Sequence, residues 1–173
     1  MKSAPRFLRR VSDLTTDTRA ASAAEFALVL PLLMITLFTF VEAGRYIDHL
    51  HVVSKAVRDG VRYAARQPFA AFGCGGAGLS ADVSDSIKRY VRTGSATGST
   101  GRLPYWTSDA TVSVSASCVT AGAGISGIYE TQVGGAPVVR VSADVPYVPI
   151  LGSLARLQSF SVGANAESAV MGL

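Results

Sequence analysis

The hydrophobic positions of the chain fall into three successive regimes. Phe26 to Val41, FALVLPLLMITLFTFV, is an apolar run without a charge. From Gly44 to Arg66 apolar residues recur at helical spacing. Tyr46, Leu50, Val53, Val57, Gly60 and Ala64 advance by fours and threes, with Val61 beside them, and Lys55, Arg58, Arg62 and Arg66 fall nearly opposite. Later the period shortens to two. Val112, Val114, Ala116 and Cys118 share one side of a segment, Val139, Val141, Ala143 and Val145 one side of a second, and Phe160, Val162, Ala164 and Ala166 one side of a third.

The first two regimes predict one helix from about Ala21 to Arg66, roughly 70 Å long at 1.5 Å per residue. It should stop before Pro68, because a residue preceding proline disfavours the helical conformation. A shorter helix is expected over Ser80 to Arg92. Ser80 is placed to cap it, Asp82 lies near its start, and Lys88, Arg89 and Arg92 suit its end. Val83, Ile87 and Tyr90 form its apolar side. Strands with one apolar and one polar side suit an antiparallel sheet covering a helix. The fold class is therefore α+β: a single long N-terminal helix, transmembrane and then amphipathic, packed against a small antiparallel sheet with one short extra helix. The domains follow as a basic leader over residues 1–20, a helix over 21–66 and a head over 67–173.

Glycine-rich connections join these elements. Phe72 to Gly78 reads FGCGGAG, but no Gly-Lys-Ser/Thr follows, so it is not a phosphate cradle. Gly94 to Gly101, GSATGSTG, reads as a flexible surface loop. Residues 119–136 form a longer excursion, with Ile125, Ile128 and Tyr129 available to pack back. Tyr147 to Gly152 is an apolar connection that either packs under the sheet or meets a partner.

Charge changes the picture mainly at the N-terminus. The sequence pI is about 9.3, which invites a nucleic-acid reading. Yet Lys2, Arg6, Arg9, Arg10 and Arg19 against Asp13 and Asp17 give the first twenty residues +3, residues 21–66 carry +1, and residues 67–173 hold six cations and six anions. Phosphate binding needs clustered cations, and the body is neutral, so no nucleic-acid partner is expected. The basic face of the amphipathic helix reads as a solvated face.

The apolar run is short of the roughly 20 residues that cross a bilayer. Adding Ala20 to Ala24 makes the length sufficient and brings Glu25 into the span. An ionisable group there is costly and marks a functional position. The excess of Arg before the run favours an N-terminus in the cytoplasm and an exported head. A conventional signal peptide cleaved after Ala43 is the main rival. Against it stand the long leader, Pro31 within the run, and a helical pattern that continues past it.

Cys74 and Cys118 lie in no C-x-x-C pair and have no histidines at metal-ligand spacing. In an exported domain they form a natural disulfide pair; in a cytosolic one, two small buried side chains. His49 and His51, two residues apart, point to different faces of a helix and make a poor metal pair. No nucleophile elbow, metal cluster or acid pair stands out, so neither an enzyme nor a cofactor is expected.

The stretch Ala20-Ala21-Ser22-Ala23-Ala24-Glu25-Phe26 resembles the processing site of type IVb prepilins, especially the TadE-like pseudopilins of tight-adherence pili. In that pattern a basic leader ends in a small residue, usually Gly, and cleavage follows it. Glu stands fifth in the mature chain, with an aromatic next. The resemblance places the scissile bond between Ala20 and Ala21, with Glu25 fifth and Phe26 the aromatic; Ala20 stands where Gly is usual. EFALVLPLLMITLFTFVEAGRY is also similar to the family's membrane segment, including the central Pro31 and the closing Glu42, Gly44 and Arg45.

The resemblance implies a minor pilin or pseudopilin of the bacterial inner membrane, with its head outside the cytoplasm and incorporation into a pilus. Its implied partners are other pilins and pseudopilins, a prepilin peptidase, an inner-membrane assembly platform and membrane lipid. The alternative is a bitopic anchor whose head binds a partner and never enters a filament. Cleavage after Ala20 would create an α-amino group one helical turn from Glu25. In a low-dielectric bundle a carboxylate and an amine on adjacent subunits attract far more strongly than in water.

Overall fold

The structure is a computed structural model that describes residues 18–74, 76, 78–120, 126–130, 132, 134–150, 152 and 160–172. The leader before Thr18 and the sequence positions Ile125 and Leu151 lie outside the described residues. The chain divides into two units, Met1–Ala43 and Gly44–Leu173.

The first helix, α1, runs Thr18–Ala65. It begins before the expected Ala21 and includes the backbone on both sides of the Ala20–Ala21 bond. It ends as expected short of Pro68. Arg66 and Gln67 donate their N–H groups to Tyr63 O and Ala64 O, tightening the last turn.

In the second unit, a 3-10 turn at Phe69–Phe72 leads towards α2, Ala81–Thr93. Three strands follow: β1, Val112–Val119; β2, Ala136–Tyr147; and β3, Phe160–Ala169. They form an antiparallel meander in the order β1-β2-β3. The register aligns the three apolar rows foreseen from the alternation. Val112 faces Ala143, Val114 faces Val141 and Ala116 faces Val139. Across the other ladder Val141 faces Ala166, Ala143 faces Ala164 and Val145 faces Val162.

That row packs on the C-terminal part of α1. Val53, Ala56, Val57, Val61 and Ala64 join Ile87 and Val91 of α2, the sheet valines, Phe72 and Trp106 in one core. Burying apolar surface at roughly 25 cal/mol per Å² is the main force holding these layers together. The second helix crosses α1 at Gly60, where an added Cβ would overlap Val91 Cγ2. Beside the crossing Tyr63 stacks on Tyr90, with centroids 4.4 Å apart and planes within 6°.

One local expectation for α2 needs correction. Ser80 occupies the N-cap position, but its side chain makes no capping bond. Arg92 lies in the last turn as expected. It is buried, its Nε pairs with Asp109, and its Nη1 donates to Ser99 O at 2.9 Å. Arg92 thereby ties down the loop read as flexible, and Arg89 adds a bond to Ala96 O at 3.4 Å. The helix ends at Gly94, whose φ of 86° is the left-handed conformation of a C-cap.

Trp106 is enclosed, with its indole N–H donating to Thr111 Oγ1 at 2.7 Å. The chain beyond β3 returns to α1. Val170 N donates to Pro137 O at 2.9 Å, and Met171 N to Ala65 O at 2.7 Å, satisfying a carbonyl left open by the helix end. Tyr129 packs back as expected, its hydroxyl donating to Val170 O at 2.8 Å. Its neighbour Ile128 is instead exposed.

Candidate assembly helix and head clasp

The site residues foreseen from the sequence separate into a helical set and a disulfide. Along α1, residues 21–41 are all exposed, including Phe26, Leu28, Leu32, Ile35, Leu37 and Phe40. Such a surface is unstable in water and suited to lipid or to other apolar helices. The helix is long and apolar enough to cross a membrane.

Two hydroxyls within the run are satisfied internally. Thr36 Oγ1 donates to Leu32 O, and Thr39 Oγ1 to Ile35 O at 2.8 Å. Each bonds one turn back, which hides a polar atom on the helix's own backbone. The threonines follow Pro31, whose ring withholds one ladder N–H. Sequence reading passed over both of them, although Thr within an uncharged membrane-length run is a sufficient signal.

Glu25 is the one formal charge between residues 21 and 41 and is exposed. Among the described residues it makes no hydrogen bond or ion pair within the chain. Phe26 beside it is exposed as well. Glu42 and Arg45 are each half-buried, whereas Gly44 is exposed. An added Cβ at Gly44 would meet nothing within 4 Å. The chain's own packing therefore gives no reason for glycine there, although glycine inside a helix costs about 1 kcal/mol relative to alanine.

The amphipathic part of α1 turns its apolar stripe onto the head. The opposite side forms an open groove of about 590 Å³ lined by Leu50, His51, Ser54, Lys55, Arg58, Asp59 and Arg62. Asp59 is engaged there by Arg102 at 3.2 Å. The histidines diverge as expected: His51 lines this groove, while the His49 ring meets the Tyr147 ring edge-on at 5.2 Å.

Cys74 and Cys118 are joined by a disulfide, with Cα atoms 5.6 Å apart and a sequence separation of 44. The bond clasps the loop after α1 to the end of β1. Gly134 completes the clasp. At φ 89° it adopts a conformation that side chains avoid, and a Cβ there would strike Cys74 O.

Residues 20–62 match the family model for TadE-like protein. The matched segment contains Ala20, Ala21, Glu25, Phe26, Pro31, Glu42, Gly44 and Arg45, the residues that carried the resemblance in sequence. Over this segment, about a quarter of its length, the chain is similar to TadE-like protein. No curated protein and no solved structure matches the chain.

Proposed function

We propose that this chain is a minor pilin or pseudopilin of a tight-adherence, type IVb-like pilus. A prepilin peptidase cuts it after Ala20, and it contributes to pilus assembly and surface attachment. The supporting observation is the TadE-like match over residues 20–62, set on a helix whose apolar surface from 21 to 41 is uncovered and holds one charge, Glu25. The protein sits in the inner membrane with its N-terminus in the cytoplasm and its head outside, before it moves into a fibre with other pilins through the assembly platform. No catalytic role is assigned to the head.

Glu25 is the registration group in this reading. Removing the leader frees an α-amino group with an ordinary pKa of about 7.7–8.0, and therefore substantially cationic near neutral pH. A carboxylate entering a bundle of apolar helices is strongly destabilised unless a positive partner meets it. The new amine of a neighbouring subunit meets that need only at the correct axial register. An uncleaved chain offers no such amine.

N-terminal sequencing of the membrane-extracted protein tests the proposal. A mature start at Ala21 is the expected result. A retained leader in cells that build pili supports the simple bitopic anchor, and a start at Gly44 identifies a secreted protein. Either result overturns the pilin reading.

A further inference from the structure

The head carries an apolar, aromatic rim around Tyr46. Tyr46 of α1 lies edge-on to Tyr147, with ring centroids 5.5 Å apart. Tyr147 is the last residue of β2 and pairs across the ladder with Phe160, the first of β3. Phe160 is 50% exposed and Ile150 is 54% exposed, and Val148 and Ile47 are also open. Tyr147 and Phe160 mark this end of the sheet, with Val148 and Ile150 just after β2, Tyr46 against Tyr147, and Ile47 next to Tyr46 along α1. The opposite end is marked by Val119, which faces Ala136.

The chain itself indicates what covers the rim. Tyr46 follows Val41, the last residue of the apolar run, by five positions, or about 7.5 Å of rise along a helix. The polar and interfacial layer of a bilayer is roughly 5–8 Å thick on each side. Chain connectivity alone keeps Tyr46 within five residues of the end of the apolar run, and within the head Tyr46 meets Tyr147, the ladder partner of Phe160. Tyrosine is enriched in the interfacial layer because its ring is apolar and its hydroxyl polar. Exposed Phe and Ile gain by entering the same boundary.

We infer that this rim is a lipid-contact surface: Tyr46, Ile47, Val148, Ile150 and Phe160 seat the head in the membrane interface before assembly. The inference rests on the membrane-anchor part of the proposed function and assigns the head a second, peripheral attachment. Leaving the bilayer for a fibre then requires the rim to withdraw from lipid as well as the helix.

Tryptophan scanning of the full chain in phosphatidylcholine vesicles tests it, using lipid brominated near the headgroup end of its acyl chains. The native Trp106 is buried in the head and supplies a constant background. Phe160→Trp and, independently, Ile150→Trp should add emission that brominated lipid quenches. Val119→Trp, at the far end of the sheet, should add emission that it does not quench. Phe38→Trp reports on the span itself. If Phe38→Trp escapes quenching, the anchor reading and this inference fail together. If Phe38→Trp is quenched but both rim variants are not, the inference alone fails. Rim variants shielded from aqueous acrylamide yet unquenched by brominated lipid would mean that protein covers the rim, and would equally overturn it.

Discussion

Gly60 of α1 and Val91 of α2 lie so close that a Cβ on the glycine would overlap the valine Cγ2. Val91 is fully buried, so its methyl has no open space to enter. Gly60→Ala should gain about 1 kcal/mol of helix propensity but lose about 1–3 kcal/mol to overpacking. The expected net result is a head of lower denaturation midpoint, measured by urea titration of near-UV dichroism. Gly60→Val should be worse. If Gly60→Ala raises the midpoint, the helices do not cross as closely as described.

The disulfide should contribute strongly because the loop it closes is long. With the cysteines 44 positions apart in sequence, chain-entropy arguments give about 3–4 kcal/mol. Cys74→Ala, Cys118→Ala and reduction of the native chain should each lower the unfolding midpoint. The double variant should cost no more than either single one. Additive losses would show that each cysteine acts through packing rather than through the bond.

Two ion pairs of similar composition should differ sharply in their effect. Arg92 is buried against Asp109, whereas Arg140 and Glu167 pair at 3.0 Å with both side chains about half exposed. Asp109→Asn leaves a buried guanidinium short of its anion and should cost about 1–3 kcal/mol. Glu167→Gln should cost under about 1 kcal/mol. Thermal melts of both variants at low and high salt check the contrast, with the surface pair the more salt-sensitive.

Glu25→Ala removes the charge without disturbing any bond within the described chain. It should leave membrane insertion and leader removal intact while sharply reducing incorporation into pili and pilus-dependent adhesion. Fractionation and immunoblotting of sheared fibres supply the measurement. Normal incorporation of the variant would sink the registration role.

Gly44→Ala separates folding from assembly. The isolated chain should be unchanged or up to about 1 kcal/mol more stable, since nothing lies within 4 Å of the new methyl group. Pilus yield should nevertheless fall, if the glycine serves close approach by a neighbour. Equal yields would restrict Gly44 to a tolerated helix residue.

Periodic signals made the architecture legible. The stripe from Val53 to Ala64 and the three alternating segments appear where the repeats put them, because each buries one side against a single partner layer. The pattern hid contacts made by small or charged residues. Ala56 is fully buried, yet alanine scarcely registers in a hydrophobic stripe. Arg92 lies at an ordinary helix-end position, and only Asp109, seventeen residues later, explains its burial. The cysteine pairing was open for the same reason, since a disulfide requires two Cα atoms to meet in space. The likeness of residues 20–62 to TadE-like protein was legible because its signal is an ordered local string. The rim around Phe160 was not, because it joins α1 to the facing ends of β2 and β3.

The return of Met171 to Ala65 has a consequence for how the head is made. Its last strand and the clamp behind it complete contacts with residues synthesised about a hundred positions earlier, the kind of long-range closure that slows folding. Until residues 160–172 have emerged from the ribosome, β2 has β1 on one side but an unpaired edge on the other, and the end of α1 keeps an unmet carbonyl. The β2–β3 ladder and the clamp on α1 are therefore the last contacts of the head to be completed as the chain is made.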